Sequence, residues 1–322
     1  MMRELDPFKR YEKNPILTRD NVPYKCNTVF NAAACKFEDQ YILILRIEDL
    51  YGHSHLTLAR SDDGYNFKID DKPWVLPSDD SYYNLYERYG IEDPRVTLLE
   101  NKYYITYTAF GPYGPRLGIG YTEDFKTFHR IALVTEVDNK DGVLFPEKIN
   151  GHYILINRPG GFGGQKGAIW ISFSPDMIYW GKSKLLLAPE PGWGSHKIGA
   201  STPPIETRRG WLIFYHGVRW TGSGNLYRIG ALLLDINDPS KIVGHTPHFI
   251  FGPNAPYERT GDVPNVVFPC GVIVEPDNTI KMYYGAADTC IALAEANIDD
   301  ILDLCIEDTK DYHNNENRHK RF

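Results

Sequence analysis

The stretch that decides the fold is Asp39-Gln40-Tyr41-Ile42-Leu43-Ile44-Leu45-Arg46, in which a turn residue and an aromatic lead into an apolar strand that ends on a polar side chain. The pattern returns four more times along the chain. Its further copies are Asn101–Thr108, Gly151–Arg158, Arg209–His216 and the weaker Asp277–Gly285. Equivalent positions on equivalent strands point the same way, so strands arranged around one axis would bring Arg46, Arg158 and His216 together.

A second repeated segment follows each of these strands and is built around an aspartate with an aromatic or apolar partner. Measured between Asp63, Asp124, Asp176, Asp238 and Asp299, the steps are 61, 52, 62 and 61 residues. A near-constant period with several strands per repeat is typical of propeller blades, and Asp with Gly or Pro favours the turn of a hairpin. We therefore predict an all-β fold, a five-bladed β-propeller with its active site on the central axis. The alternative is a β-sandwich with coincidental hairpins.

The composition favours one globular, β-rich unit over the two domains that the length alone would suggest. The 322 residues are 42% hydrophobic and 13% aromatic, and helical periodicity is scarce outside Asp299–Cys305. We expect residues 1–306 to form a single propeller domain that holds the catalytic site. The polar segment 307–322 is expected to be a frayed or disordered tail.

The charge and the apolar runs argue against several classes of protein. A net charge of −7 disfavours a nucleic-acid surface, and no apolar run is long enough to cross a membrane. The N-terminus lacks the apolar core of a signal peptide, and the five scattered cysteines lack metal-ligand spacing. We therefore expect a cytoplasmic protein that needs no metal or cofactor and acts on small molecules. The sequence allows a homo-oligomer.

The strongest local motif for chemistry is Gly90-Ile91-Glu92-Asp93-Pro94-Arg95-Val96. Asp93 and Asn31 each lie ten residues before the aromatic of a repeated strand, so both should begin an inner strand and face the axis. Pro94 restricts the residue before it, which holds Asp93 at an irregular strand entry. A carboxyl group between apolar walls would have its pKa raised and could serve as a general acid. The alternative is an aspartate that caps a turn or pairs with Arg95.

Four basic side chains are expected at one end of the same axis. Arg158 and His216 end equivalent strands, and Lys197 comes just before the next inner strand. Lys140 lies in the turn-like stretch Asp138–Gly142. Several cations at one end of a pore in an acidic protein imply an anion site, and phosphate suits both the planar fork of Arg and the point charge of Lys. A surface salt bridge is the alternative for each residue singly, whereas their joint placement favours function.

A set of motifs distributed from about residue 14 to residue 302 resembles one known family. The motifs are Val29–Ala33, Arg46–Asp49, Ser54–Ser61, Ile91–Val96, Val143–Gly151, Asn157–Pro159, Lys197–Ala200, Tyr215–Val218, Gly261–Pro269 and Tyr283–Thr289. Together they resemble glycoside hydrolase family 130, the β-mannoside phosphorylases and related β-mannosidases. Each motif alone would be weak, but the set spans nearly the whole chain.

The resemblance implies a five-bladed propeller in which Asp93 is the single catalytic acid and passes its proton through the mannose 3-hydroxyl. It implies that inorganic phosphate, as a co-substrate, is bound by Arg158, Lys197, His216 and Lys140. It also implies that the mannose beside the cleaved bond is held by Asn31, Arg46, Asp49 and Asp288. Lys140 departs from the family pattern, in which arginine is often found. The segment Gly52–Leu56 is more similar to the β-1,2 branch than to the β-1,4 branch.

The residue types favour phosphorolysis over hydrolysis. Phosphate is already an anionic nucleophile, whereas an inverting hydrolase needs a second carboxylate to activate water. Glu147 is the nearest candidate for such a base. We therefore expect an inverting β-mannoside phosphorylase, with β-1,2 linkages slightly favoured, that releases α-mannose 1-phosphate. The alternatives are a β-mannosidase and a non-catalytic glycan-binding propeller.

Overall fold

The computed structural model describes residues 6–160, 166–246 and 248–305, which form an all-β fold. The expectation of an all-β chain is confirmed. The expected polar tail, residues 307–322, lies outside the described residues. Among the residues described, none of the helices has the length and apolar character to cross a membrane.

Most strands belong to antiparallel meanders, in which consecutive strands pair with their neighbours. Strand β1 (Lys9–Arg10) precedes the first meander. The first meander comprises β2 (Thr28–Phe37), β3 (Gln40–Glu48), β4 (Ser54–Ser61) and β5 (Lys68–Ile69). The second comprises β6 (Gly90–Leu99), β7 (Lys102–Gly111), β8 (Gly114–Thr122) and β9 (His129–Leu133). A parallel bridge between Ser54 and Gly90 joins these two meanders in one sheet.

Three further meanders form separate sheets. The third comprises β10 (Asn139–Leu144), β11 (Tyr153–Pro159), β12 (Ile169–Ser174) and β13 (Gly181–Leu187). The fourth comprises β14 (Lys197–Ala200), β15 (Ile205–Thr207), β16 (Gly210–Thr221), β17 (Gly224–Leu234) and β18 (Ile242–His245), with β14 and β15 both paired to β16. The fifth comprises β19 (Val267–Val274), β20 (Thr279–Ala286) and β21 (Cys290–Asn297), and β1 pairs with β21. The N-terminal strand therefore completes the last meander.

Short helical segments occur between the strands. Helix α1 (Ser81–Glu87) follows β5, α2 (Pro256–Arg259) precedes β19, and a 3-10 turn (Arg19–Asn21) precedes β2. Residues 298–305 are helical, which confirms the helix predicted at Asp299–Cys305. Glu87 at the end of α1 is fully buried and accepts hydrogen bonds from Arg130 of β9, so α1 is anchored to the second meander.

The repeated apolar strand is buried on both of its faces. In β3, Ile42 and Ile44 pack against the second meander, whereas Leu43 and Leu45 pack against the fifth. Successive side chains of a strand point to opposite faces, so a strand between two packed sheets needs apolar residues at every position. Strands β7, β11 and β16 divide their apolar side chains in the same way.

Five apolar clusters of the described residues lie between the meanders. One cluster each joins the first meander to the second, the second to the third, the third to the fourth and the fourth to the fifth. A further cluster joins the fifth meander back to the first. Strand β6 contacts both β2 and β10, and β19 contacts β2. The core is therefore distributed between neighbouring sheets, and the first strands of the meanders lie close to one another.

The aspartate-centred segments form turns with a shared hydrogen-bond pattern. In the first three copies, backbone N–H groups two and three residues ahead donate to Oδ1 of Asp63, Asp124 and Asp176. In the fourth copy Asp235 accepts these bonds, and in the fifth Asn297 accepts one of them. The side chain that binds the turn backbone defines each copy of the repeat. In the fourth copy this side chain lies three residues before the expected Asp238, and in the fifth it lies two residues before the expected Asp299.

Candidate active site

One cavity collects polar side chains from all five meanders. Its volume is about 250 Å³. Four carboxyl groups line it, those of Glu92, Asp93, Asp141 and Asp288. Five basic side chains line it, those of Arg46, Lys140, Arg158, Lys197 and His216. With Asn31, the cavity brings together every predicted site residue except Asp49.

In three of the meanders, the first strand has a bulge that turns one polar residue towards the cavity. The register shifts at Asn31 in β2, at Asp93 in β6 and at Asp141 in β10. These residues have φ values of 49°, 47° and 59°. Asn and Asp tolerate this left-handed region better than other side chains, and bulges re-aim side chains next to functional sites. The irregular strand entry predicted at Asp93 is thus observed, and it recurs in two neighbouring strands.

Asp141 is one of the cavity residues that the sequence reasoning missed, together with Glu92 and Tyr227. Asn31 and Asp93 lie ten residues before the aromatic of the repeat, whereas Asp141 lies twelve residues before Tyr153. The stretch expected to be a turn is instead the bulged strand β10, in which Lys140 pairs with Arg158 of β11. An aspartate in the first strand of the third repeat is the signal that could have identified it.

The carboxylate of Asp93 accepts two hydrogen bonds on one oxygen. Arg46 donates from Nη1 across 2.9 Å and Asn31 donates from Nδ2 across 2.8 Å, both to Oδ1. The other oxygen, Oδ2, has no hydrogen-bond partner among the described residues. Burial raises the pKa of Asp93, but nearby positive charges, Arg46 foremost, outweigh burial and hold the pKa below its ordinary value. The predicted rise is therefore wrong for Asp93. Arg95 binds the backbone carbonyl of Asp93, not its carboxylate.

Asp288 is the cavity carboxyl group whose pKa is raised. Burial raises the pKa of Asp288 to about 7, and the negative charges of Asp93 and Glu92 add to this effect against the opposing charge of Arg46. Among the described residues, Asp288 has no ion-pair partner. It lies in the turn between β20 and β21, so sequence spacing did not reveal how close it comes to the other carboxylates.

Two carboxylates each contact at least two basic side chains. Glu92 binds Arg46 across 3.1 Å and Lys140 across 3.0 Å. Asp141 accepts a hydrogen bond from Nε of Arg158. Oδ2 of Asp141 also lies 3.4 Å from Nε2 of His216. Burial raises the pKa of Asp141, but the adjacent positive charges outweigh burial and hold the pKa well below its usual range.

Lys197 is the basic side chain of the cavity that has no carboxylate partner in the described part of the chain. Its Nζ atom lies 5.6 Å from the ring centre of Tyr227. Burial lowers the pKa of Lys197, and the positive charge of Arg158 lowers it further. An anion that enters the cavity would therefore relieve the repulsion between Lys197 and Arg158.

His216 has protein groups beside both of its ring nitrogens. Nδ1 lies 3.2 Å from Oγ of Ser201, and Nε2 faces Asp141. Burial lowers the pKa of His216 and outweighs the opposite effect of Asp141. A neutral ring that donates from Nε2 to Asp141 and accepts at Nδ1 from Ser201 satisfies both contacts. His216 thus shapes the cavity wall without supplying a permanent charge.

Asp49 and Glu147 do not line the cavity. Backbone N–H groups of Tyr51 and His53 donate to Oδ1 of Asp49, which closes the turn between β3 and β4. Glu147 is exposed in the segment after β10. The mannose contact expected of Asp49 and the base role considered for Glu147 are therefore unsupported by their positions. Within the described residues, no cluster of His, Cys, Asp and Glu could hold a metal ion.

Comparisons with known proteins find relatives that match nearly the whole chain. A family model, Glyco_hydro_130, described as beta-1,4-mannooligosaccharide phosphorylase, matches residues 5–307. The beta-1,4-mannooligosaccharide phosphorylase of Ruminococcus albus is 37% identical over 304 residues, which cover 92% of this chain and 90% of the relative. A beta-1,2-mannobiose phosphorylase of Thermoanaerobacter sp. is 40% identical over 307 residues, covering 90% and 93%. The structure of the Listeria innocua beta-1,2-mannobiose phosphorylase in complex with beta-1,2-mannobiose has a TM-score of 0.85 at 32% identity, covering 92% of this chain and 99% of that chain.

The chain thus combines an all-β fold, and a cavity in which a buried acid lies beside a cluster of basic side chains, with similarity to known glycoside phosphorylases. The chain belongs to glycoside hydrolase family 130.

Proposed function

We propose that this protein is an inverting β-mannoside phosphorylase, which cleaves β-linked manno-oligosaccharides with inorganic phosphate and releases α-mannose 1-phosphate. The observation that best supports this proposal is that Asp93, Arg158 and Lys197 line the same cavity. The acid would protonate the leaving oxygen while phosphate attacks from the opposite face of the sugar, so the β configuration becomes α.

Phosphate is bound in this proposal by Arg158, Lys197 and Lys140, with His216 in the wall of the site. Arg158 uses Nε for Asp141, and its two Nη groups have no acceptor among the described residues. A planar guanidinium matches two phosphate oxygens, and Lys197 adds a point charge. Because phosphate is already an anion, it needs positioning and charge balance, not a base.

Asp93 is the proposed general acid, acting from Oδ2 through the mannose 3-hydroxyl. Its pKa is held low partly by Arg95 and Lys140. Bound phosphate would compensate positive charge in the same cavity, so the pKa of Asp93 would rise when the co-substrate binds. A general acid works best when its pKa lies near the working pH. The mannose beside the cleaved bond would contact Asn31, Arg46 and Asp288.

We infer that the five meanders are the blades of a five-bladed propeller with the cavity on its central axis. In support, an apolar cluster joins each meander to the next and the fifth to the first. The pairing of β1 with β21 ties the N-terminal residues to the last meander, which is how a ring of blades is held closed.

The test is incubation with β-1,2- and β-1,4-mannobiose, each with and without phosphate, followed by NMR identification of the products. We expect α-mannose 1-phosphate, formed only with phosphate, and faster turnover of the β-1,2 disaccharide because of the segment Gly52–Leu56. Release of mannose without phosphate would make the protein a hydrolase. Binding without turnover of either disaccharide would make it a glycan-binding protein.

A further inference from the structure

Asp141 is a buried anion in the middle of the basic cluster. Its side chain is 2% exposed, and it contacts Arg158, His216 and Arg95. The Arg95 contact joins Nη2 to Oδ1 across 3.5 Å. Coulombic repulsion between this carboxylate and a phosphate bound beside it would weaken phosphate binding. If phosphate binds here, Asp141 has to favour binding in another way, by an amount of free energy larger than this repulsion.

We propose that Asp141 is the positioning residue of the phosphate site, an inference that rests on the proposed function. Its carboxylate holds the guanidinium of Arg158 and the imidazole of His216 in the orientation that phosphate requires. Asp141 itself touches neither phosphate nor sugar in this proposal.

The backbone conformation at two positions allows Asp141 to reach Arg158 and His216. Asp141 sits at the bulge of β10, at a φ of 59°, so its side chain turns inwards. Gly199 of β14 lies on the other side of the contact. A Cβ atom at position 199 would lie 2.2 Å from Oδ2 of Asp141 and 2.7 Å from Cε1 of His216. The bulge and the glycine, in separate meanders, thus serve the same ion pair.

The hydrogen bond to Nε explains how Arg158 becomes preorganised. A free arginine side chain loses rotamer entropy when it binds a ligand, and this loss weakens binding. Because Asp141 already holds Nε, that entropy is lost before phosphate arrives. The same carboxylate keeps Arg158 and Arg95 together against their mutual repulsion.

The experiment is the variant Asp141→Asn, an isosteric change to a residue that also tolerates the left-handed backbone. If Asp141 positions Arg158, the phosphate KM should rise about tenfold or more while the mannobiose KM stays within about twofold. A purely electrostatic role predicts the opposite sign, because removal of an anion should tighten phosphate binding. A phosphate KM that falls or stays the same would therefore overturn the proposal.

Asp138→Asn is the matched control. Asp138 is exposed and exerts its charge on both Arg158 and Lys197, yet it forms no ion pair with them. Its removal should leave the phosphate KM unchanged or slightly lower. A rise equal to that of Asp141→Asn would show that the effect does not require the contact with Arg158, and would overturn the positioning role.

A double-mutant cycle tests whether Asp141 acts through Arg158. In an Arg158→Ala background, Asp141→Asn should raise the phosphate KM clearly less than it does in the wild type, because one of the two groups it positions is absent. An undiminished effect in that background would refute the mechanism. If Asp141→Asn does not fold, Gly199→Ala displaces the same carboxylate without a change of charge, and it should also raise the phosphate KM.

Calorimetric titration with inorganic phosphate separates this inference from the proposed function. If the wild type binds no phosphate and turns over without it, the proposed function fails. If the wild type binds phosphate and Asp141→Asn binds it at least as tightly, the positioning role fails while the proposed function stands.

Discussion

Arg46 donates from Nη1 to Oδ1 of Asp93 across 2.9 Å, and from Nη2 to Oε1 of Glu92 across 3.1 Å. One guanidinium therefore joins the proposed acid to the carboxylate that holds Lys140. This ion pair favours the ionised form of Asp93. In the proposed mechanism, Asp93 would therefore take up the proton that it donates once bound phosphate has changed the charge balance of the cavity.

The variant Asp93→Asn should retain the fold and lower kcat by about 10² to 10⁴, the range for loss of a general acid. Asparagine has the same size and can still accept hydrogen bonds from Arg46 and Asn31. Steady-state phosphorolysis and circular dichroism are the measurements. Asp49→Asn is the control, since Asp49 closes a turn outside the cavity, and it should turn over normally. Near-normal kcat for Asp93→Asn would remove Asp93 from the mechanism.

Loss of a phosphate-binding cation should raise the phosphate KM more than the mannobiose KM. A charge-assisted hydrogen bond contributes roughly 1.5 to 3 kcal/mol, so Arg158→Ala and Lys197→Ala should each raise the phosphate KM about ten- to a hundredfold. Arg208→Ala is the control, because that side chain is 73% exposed and pairs with Asp299. Changes within twofold for both cavity variants would contradict a phosphate site.

His216 should be neutral at pH 7. Burial lowers its pKa from the ordinary value of 6.5, so the charged form becomes abundant only below that pH. Nitrogen-15 NMR of the imidazole should show a proton on Nε2 and none on Nδ1. The phosphate KM should then show no inflection from His216 between pH 7 and pH 8. A doubly protonated ring at pH 7 would disprove this assignment.

Asp288 should make the protein less stable as the pH rises towards neutrality. Its ordinary pKa is 3.8, whereas its pKa in the folded protein is about 7. The folded state therefore binds this proton more tightly, and the resulting stabilisation is lost as the pH rises between these two values. Asp288→Asn stays uncharged, so its free energy of unfolding, measured with urea at several pH values, should lack this decline. Parallel pH profiles for the two proteins would refute the shift.

Gly285→Ala should disturb the mannose side of the cavity. A Cβ atom at position 285 would lie 2.0 Å from Oδ1 of Asn31, the residue whose Nδ2 donates to Asp93. Overpacking of this kind costs about 1 to 3 kcal/mol of stability, and the mannobiose KM should also rise. Gly181→Ala, in strand β13 with open space around it, is the control and should change stability by less than about 0.5 kcal/mol. Equal effects of the two substitutions would argue against the steric explanation.

The sequence predicted those features that follow from local pattern. Five apolar strands and five turn segments indicate an all-β repeat, because each strand must bury side chains against its neighbours. The same register placed Arg46, Arg158 and His216 on equivalent strands, and the structure brings all three to one cavity. Pro94 after Asp93 likewise indicated the irregular strand entry.

Tertiary structure alone decided which charges meet. Asp141 does not follow the ten-residue spacing of Asn31 and Asp93. Gly199, which lies beside its carboxylate, is 58 residues away in the chain. The low pKa of Asp93 and the high pKa of Asp288 depend on distances to Arg46 and on burial, which no spacing in the sequence specifies. Periodicity reports which side of a strand a residue occupies, whereas Coulombic energies depend on ångström distances between segments that only the folded chain brings together.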